Sequence, residues 1–290
     1  QVFWRDEGKA PGGPGVADMK SGLAIMLAAL RAVESVGAAN LGYEVVINSD
    51  EEVGSPGSAP LLAEAARGKR AALTYEPSAL PDGTLAGARQ RSGNFSLFVE
   101  GRSAHAGRNP EEGRNAVVAA ADLALRLAAF RRDGLKANIG RIDGGGPSNV
   151  VPDKAVLRLN MRPATRDDER QAKAALEETV AAVASAHDVR ISMHGGFGRP
   201  PKPLDAEAEK LFALVRRCGA DLGQDIGWRA TGGVCDGNNI AAQRVPVVDT
   251  MGARGGAIHS DEEYLIVDSL VERSQLSALT ILRLASGEAL

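Results

Sequence analysis

The first third of the chain alternates between apolar segments of two different periods. Residues 19–36, "MKSGLAIMLAALRAVESV", repeat their apolar positions at helical spacing and are rich in helix formers, so they predict a helix. Residues 43–48 and 71–75 are short apolar runs that predict buried strands, and residues 59–66 predict a helix between them. Strands that alternate with helices pair in parallel and carry the helices on their faces, so this region predicts an α/β layer. We expect its first strand or strands to be missing.

The middle of the chain has a different pattern. Its strands and helices follow in the order β-α-β-β-α-β, which is the split unit of ferredoxin-like domains. Such a unit within an α/β chain predicts an inserted domain. The six segments are residues 94–99, 115–130, 136–142, 155–161, 168–184 and 189–193.

After residue 200 the first pattern returns. The apolar positions predict helices at residues 206–218 and 263–284, and strands at residues 227–230 and 245–250. A proline-rich crossover, "GRPPKP", marks one domain boundary near Pro200, and the change of pattern marks the other near Arg89. Residues 1–89 and 201–290 therefore form one predicted domain, and residues 90–200 form the inserted one.

Composition narrows the classes of partner. The chain of 290 residues has a formal net charge of −3, without the basic surface that nucleic-acid binding needs. No apolar run approaches the roughly 18 residues that span a membrane, so we expect neither nucleic acid nor a membrane as partner. Two cysteines, Cys218 and Cys235, cannot build a disulfide framework. The chain begins without Met, so we expect the natural N-terminus to be missing, and the compartment stays open.

Acidic residues and one histidine follow predicted strands or open a predicted helix. Ligands of open α/β sheets gather beyond the carboxyl ends of the strands, so we expect these side chains to converge there. Carboxylate oxygens and imidazole nitrogens are ligands that zinc uses. The residues are Asp18 in "GGPGVAD", Glu51 and Glu52 in "NSDEEVGSPGS", Glu76 in "TYEPS" and His259 in "GGAIHSDEE".

Each of these residues also has an ordinary structural explanation. Asp18 is placed as a helix N-cap, and Asp50, Glu51 and Glu52 complement the dipole of the helix that follows. Glu76 fits a surface acid at a strand end, and His259 fits a loop histidine held by Asp261 or Glu262. The metal hypothesis therefore depends on the group and not on any single member.

Two adjacent glutamates suit hydrolysis at a pair of metal ions. Such a site needs a carboxylate that bridges the ions and terminal ligands on each of them. It also needs a general base that is not itself a ligand. Adjacent residues that leave a strand end point in different directions, so one of Glu51 and Glu52 can bind metal while the other faces the reacting water.

A series of motifs identifies a family resemblance. The chain contains, in order, "GPGVADMKSG", "DEEVGSPGS", "YEPS", "SAHAG", "SNVVP", "TGGVCDGN" and "GGAIHSDEE". The series resembles that of the zinc aminoacylase, acetylornithine deacetylase and glutamate carboxypeptidase family, and most closely the carboxypeptidase G type. The resemblance covers essentially the whole chain, and an ordered series of this kind is highly specific.

The resemblance implies a fold and a set of metal ligands. It implies a zinc-peptidase α/β catalytic domain with helices on a mostly parallel sheet, and an inserted ferredoxin-like α+β domain that serves as dimerisation domain or lid. Asp18 would bridge two Zn²⁺ ions per complete subunit, Glu52 and Glu76 would each bind one of them, and His259 would join Glu52. Glu51 would be the general base. A cis peptide bond between Asp18 and Met19 is implied as well.

One motif of the family is absent from this sequence. Family members carry an earlier His-x-Asp, in which the histidine binds the first zinc and the aspartate orients it. This chain begins just after the place where that motif would end. We therefore expect the complete protein to be a di-zinc enzyme and this fragment to bind the first zinc weakly.

The resemblance also implies substrate-binding residues. His105 in "SAHAG" would enter the site of a partner subunit and polarise the scissile carbonyl. Asn149 and Arg162 would hold the substrate carboxylate, since an Arg fork fixes a carboxylate with two parallel hydrogen bonds. Judged alone, His105 fits a turn residue and Arg162 a solvated strand end. Gly232 and Gly233 would let the backbone approach the ligand closely.

The predicted activity is metal-dependent hydrolysis of an amide bond next to a free carboxylate. A glutamate carboxypeptidase-like exopeptidase is favoured, and an N-acyl-amino-acid deacylase of the same family is the nearest alternative. A non-catalytic dimerisation or binding protein that kept the fold is the alternative from another class. The expected partners are a small peptide or N-acyl amino acid as substrate and a second copy of the chain, bound through the inserted domain.

Overall fold

The computed structural model describes residues 11–37 and 40–288, and the chain divides into two units. Gln1–Arg89 and Pro201–Leu290 form the first, which we call the split unit. Gln90–Pro200 form the second, which we call the inserted unit. None of the helices in the described ranges is both long enough and apolar enough to cross a membrane.

Helices in the split unit surround short strands. A π-helical turn at Val16–Lys20, interrupted by non-helical backbone angles at Asp18 and Met19, leads into the first helix, and a 3₁₀ turn forms at Glu51–Val53. The helices are α1 (Ser21–Ser35), α2 (Ala59–Ala66), α5 (Ala206–Asp221), α6 (Asp236–Ala241) and α7 (Asp268–Ala285). The strands are β1 (Ala72–Leu73), β2 (Leu85–Arg89), β9 (Trp228–Thr231), β10 (Val247–Val248), β11 (Gly255–Gly256) and β12 (Tyr264–Leu265).

Parallel pairing joins strands that are distant in the sequence. β1 pairs in parallel with β10, and β2 pairs in parallel with β9. β11 and β12 form an antiparallel pair. Helix α1 buries Ile25, Ala29 and Val33, which recur every four residues and so share one face. Two of them, Ala29 and Val33, pack in one cluster with residues of α7.

Two sequence predictions in the split unit are wrong. Residues 43–48 form no regular secondary structure, no described segment pairs with them as a strand, and Tyr43, Val45 and Ile47 are exposed. A strand needs a neighbour for its backbone groups, and apolar periodicity does not supply one. The last helix begins at Asp268 and not at residue 263, because residues 264 and 265 form β12.

The inserted unit is built on an antiparallel sheet of four strands. Its chain order is β3 (Gly93–Glu100), β4 (Ala104–His105), α3 (Ala116–Ala128), β5 (Leu135–Gly144), β6 (Val150–Val151), β7 (Lys154–Pro163), α4 (Arg166–His187) and β8 (Arg190–Phe197), with a 3₁₀ turn at Pro110–Glu112. The strands lie in the order β5-β7-β3-β8, and β4 and β6 form a separate pair.

Helices and sheet of the inserted unit share one apolar core. β3 alternates buried and more exposed residues, as a strand with one covered face should. Leu97 from β3, Leu123 from α3 and Leu176 from α4 are fully buried in the same cluster. Asn115 caps α3 by accepting hydrogen bonds from the amides of residues 117 and 118, and Thr165 forms a capping box with Asp168 on α4. The predicted α/β class with a ferredoxin-like insertion is confirmed.

Candidate metal centre

Asp18 is a largely enclosed carboxylate of the candidate group. Its side chain is only 9% exposed, and the Asp18–Met19 peptide bond is cis, as the family resemblance implied. The backbone N–H groups of Ala17 and Asp18 each donate to one carboxylate oxygen of Glu263 at 2.9 Å. Burial raises the pKa of the Asp18 carboxyl, and the nearby charge of Glu52 raises it further.

Glu52 and His259 complete a group of three with Asp18. The Nε2 atom of His259 lies 3.2 Å from Asp18 Oδ2 and 3.4 Å from Glu52 Oε2. One ligand atom from each of the three residues lies within 4.8 Å of the others. Glu52 comes from the 3₁₀ turn and His259 from the loop between β11 and β12, so Asp18 meets a residue that lies 241 positions further along the sequence.

Glu76 and Glu51 stand beside this group. Glu76 is partly buried after β1, and it is not part of the group of three within the described residues. Burial raises the pKa of Glu76 to about 8, with further contributions from the charges of Glu51 and Asp18. The acids are therefore close enough to repel one another, and the positive charge of Arg89 offsets only part of this repulsion.

This donor set fits a divalent cation. Two carboxylates and one imidazole are ligands that zinc accepts, and a cation would neutralise the charges that now raise the pKa values of Asp18 and Glu76. A groove of about 460 Å³ within the split unit is bordered by Asp18, Glu51, Glu52 and Glu76.

A network of buried and partly buried polar side chains fixes the loop that carries Glu51 and Glu52. Asn48 Nδ2 donates to Ser58 Oγ at 2.8 Å and to Asp236 Oδ2 at 2.8 Å. Ser55, fully buried with a left-handed φ of 57°, donates its hydroxyl to Asp236 Oδ1 at 2.5 Å. Asp50 accepts from the Ser58 hydroxyl and from the amides of residues 57 and 58, which lowers the pKa of Asp50 to about 2. Asp50 therefore stabilises the loop through hydrogen bonds to other residues of the same loop.

The glycine loop before α6 lies next to a buried ionic cluster. A side chain at Gly233 would come within 3.1 Å of the guanidinium of Arg89, so that position has little room. Cys235 is buried, its pKa is raised by burial, and its Sγ lies 3.6 Å from Asp249. Such a thiol is not disposed to act as a nucleophile. The contribution of Gly232 and Gly233 to substrate binding stays a prediction.

The inserted unit brings His105 and Asn149 together. His105 on β4 pairs with Val150 on β6, and the Ala106 amide donates to the Asn149 carbonyl at 2.9 Å. The Gly107 amide donates to Nδ1 of His105 at 3.1 Å, so in the neutral ring the proton resides on Nε2. Arg162 on β7 donates from Nε to Asn160 Oδ1 at 2.9 Å, and burial lowers its pKa. The substrate roles of these residues stay predictions.

Sequence reasoning missed several residues that organise the site. The sequence pattern singles out Asp261 and Glu262 but not their neighbour Glu263, and it singles out neither Asn48 nor Ser55. Glu263 falls in the series "HSDEE". Composition does not reveal that Glu263 is buried while its neighbour Glu262 is exposed. An acid immediately before the apolar pair of β12 was the available signal.

Comparison with known proteins supports the motif series. A family model described as "Peptidase dimerisation domain" matches residues 88–188. Carboxypeptidase G2 from a Pseudomonas species is 31% identical over 293 residues, which cover 98% of this chain and 70% of the relative. A succinyl-diaminopimelate desuccinylase from Psychrobacter arcticus is 27% identical over 278 residues, which cover 90% of this chain and 67% of the relative.

Solved structures share the fold. A tripeptidase from Staphylococcus aureus superposes with a TM-score of 0.80 at 22% identity, covering 99% of this chain and 77% of that one. A Bacillus subtilis protein described as a dinuclear metal binding peptidase from the M20 family superposes with a TM-score of 0.60 at 18% identity, covering 81% and 63%.

Proposed function

Because the chain belongs to the M20 family of peptidases, we propose that it hydrolyses an amide bond next to a free carboxylate by means of bound zinc. The observation that carries the proposal is the convergence of Asp18, Glu52 and His259, whose ligand atoms lie within 4.8 Å of one another. These three residues come from distant parts of the chain, and ordinary capping or surface placement gives no reason for them to meet.

Asp18, Glu52, Glu76 and His259 are the residues that would hold the metal. Asp18 is proposed as the shared ligand, because its largely enclosed carboxylate lies close to both Glu52 and His259. Glu76 lies beside the group, and its pKa is sensitive to the charge of Asp18. When bound, the metal supplies Lewis acidity for the reacting water and the carbonyl.

Glu51 is the proposed general base. It shares the short 3₁₀ turn with Glu52, and its charge contributes to the raised pKa of Glu76. We propose that Glu51 takes a proton from the attacking water and later passes it to the leaving nitrogen. His105 would donate from Nε2 to the carbonyl oxygen, since its Nδ1 is already an acceptor for the Gly107 amide.

The proposed substrate is a peptide or N-acyl compound that ends in an amino acid such as glutamate. Carboxypeptidase G2 is the relative at 31% identity, and this favours an exopeptidase that releases the C-terminal residue. The relatives described as desuccinylases favour the alternative, an N-acyl-amino-acid deacylase. Arg162 and Asn149 are proposed to hold the substrate carboxylate in either case.

A substrate panel tests this proposal. The protein, with any upstream segment restored and loaded with Zn²⁺, is assayed against N-acyl-glutamates, α- and γ-glutamyl peptides and N-succinyl amino acids. Fastest release of a C-terminal glutamate is expected, and faster turnover of the N-succinyl compounds would favour the deacylase. Glu51→Gln should abolish turnover and leave Zn²⁺ affinity unchanged. Metal-loaded protein without turnover of any of these compounds would favour the non-catalytic binding protein.

A further inference from the structure

Glu263 is a buried carboxylate beside the metal centre that is not one of its ligands. Its side chain is 5% exposed and lies four residues after His259. Its Oε1 accepts hydrogen bonds from the amides of Ala17 and Asp18, both at 2.9 Å, and its Oε2 accepts from the amide of Gly15 at 3.0 Å. Both oxygens are therefore engaged by the backbone of the loop that presents Asp18.

The backbone around Glu263 continues this connection. The Gly13 amide donates to the Glu263 carbonyl at 3.0 Å, and the Leu265 amide donates to the Pro11 carbonyl at 3.0 Å. Residues 11–13 thus run beside residues 263–265 like an extra strand, with a bridge between Gly12 and Tyr264. The hydrogen bonds of the Glu263 side chain continue this connection beyond residue 13, as far as the amide of Asp18, the proposed metal ligand.

The geometry of Gly15 explains why a side chain is needed at this point. Gly15 has a left-handed φ of 75°, and the chain turns there before it enters the π-helical turn. After such a turn the amides of residues 15, 17 and 18 point to one side. A carboxylate that accepts from several backbone N–H groups holds them strongly, because hydrogen bonds to a charged acceptor are about twice as strong as neutral ones.

We propose that Glu263 is a positioning residue of the metal centre, which sets the position of Asp18 relative to His259 by tying their two loops together. The proposal rests on the proposed function, since it assumes that Asp18 and His259 bind one metal ion. Glu263 is outside the group of three potential ligands, and its oxygens accept from three amides of the loop that carries Asp18, so its proposed action is through Asp18.

Residues that orient metal ligands change affinity when they are replaced. Loss of such an outer partner typically lowers metal affinity or activity by about 10- to 100-fold. We expect Glu263→Ala to raise the dissociation constant for Zn²⁺ by a factor in this range. Glu263→Gln should give a smaller loss, about tenfold. Its amide oxygen can still accept from residues 17 and 18, but its Nε2 would face the Gly15 amide, donor against donor.

Metal titration of the wild type and three variants tests the proposal. Zn²⁺ affinity is measured by calorimetry, and the ligand geometry is measured from the visible spectrum of bound Co²⁺. Glu262→Gln is the matched control, because it removes the same charge one residue away from an exposed side chain. Thermal unfolding of each metal-free variant is recorded separately. If the hydrogen bonds of Glu263 served folding alone, their loss would lower the melting temperature and leave the Zn²⁺ affinity of the folded protein unchanged.

The outcomes separate the two proposals. Weaker binding and an altered Co²⁺ spectrum in Glu263→Gln and Glu263→Ala, with wild-type behaviour in Glu262→Gln, are the expected results. Wild-type affinity and spectrum in Glu263→Gln would overturn the positioning role, even if Glu263→Ala failed to fold. A wild type that binds neither Zn²⁺ nor Co²⁺ would overturn the proposed metal site itself.

Discussion

The raised pKa of Glu76 shows most clearly how burial and neighbouring acids act on a single carboxyl at this site. Its folded-state pKa is raised from 4.5 to about 8, first by burial and then by the charges of Glu51 and Asp18. A raised pKa means that the folded chain holds this proton more tightly than the unfolded chain does. The stability that this proton provides is complete below pH 4.5 and is lost as the pH rises to about 8.

We therefore predict that the metal-free chain becomes less stable as the pH rises through this range. In Glu76→Gln the side chain is neutral at every pH, so the part of the slope due to Glu76 should disappear. Melting temperatures measured with a chelator from pH 4.5 to 8 test the prediction. The same substitution at exposed Glu64 should keep the wild-type slope. An unchanged slope in Glu76→Gln would show that folding does not raise the pKa of this carboxyl.

The sequence identified the residues that meet at the site better than those that support it. Asp18, Glu52 and His259 stand in motifs with recognisable neighbours, and they do converge. Glu263 and Asn48 act through hydrogen bonds to segments far away in the sequence. Their hydrogen-bond partners come close only when the chain has folded, so no local sequence pattern predicts these contacts.

Among the secondary-structure elements, those with local hydrogen bonds were predicted best. Helix α2 begins and ends as expected, because its bonds lie within the segment whose periodicity was read. The strands were predicted less well. β1 and β10 are only two residues long, which is shorter than the apolar runs that predicted them. Residues 43–48 have no strand partner within the described ranges. Strand formation depends on neighbours that the apolar pattern does not specify.

The two connections to the inserted unit are held in the split unit by one buried ionic cluster. Arg89 and Lys202 exchange backbone hydrogen bonds of 2.8 and 3.0 Å, so the outgoing and returning segments lie side by side. Both side chains reach fully buried Asp249, with Arg89 Nε at 2.8 Å and Lys202 Nζ at 3.3 Å. A single carboxylate thus compensates two buried cations.

We predict that Asp249→Asn strongly destabilises the chain. Removal of one partner from a buried ion cluster leaves uncompensated charge and typically costs about 3–5 kcal/mol of unfolding free energy. Asp143→Asn is the matched control, since Asp143 pairs with Arg141 at 2.7 Å on an exposed edge strand. That change should cost about 1 kcal/mol or less. Urea unfolding followed by circular dichroism measures both, and equal midpoints for the two variants would contradict the prediction.

For the molecule as a whole, the match of residues 88–188 to a peptidase dimerisation domain favours a homodimer. The family resemblance assigns His105 to the site of a partner subunit and Glu51 to the site of its own chain. Two inactive variants then have complementary defects, since Glu51→Gln lacks the base and His105→Ala lacks the carbonyl donor. A mixed dimer of these variants would contain one site with both defects and one site with neither.

We predict that mixing the two variants restores turnover. Random reassociation makes half of the dimers mixed, so about a quarter of wild-type activity should return if His105 acts across a symmetric dimer. Glu51→Gln mixed with the double variant Glu51→Gln/His105→Ala is the control and should stay inactive, because every site then lacks the base. The mixtures are incubated under conditions that exchange subunits, and exchange is verified with affinity-tagged chains. Verified mixed dimers without activity would place His105 in the site of its own chain.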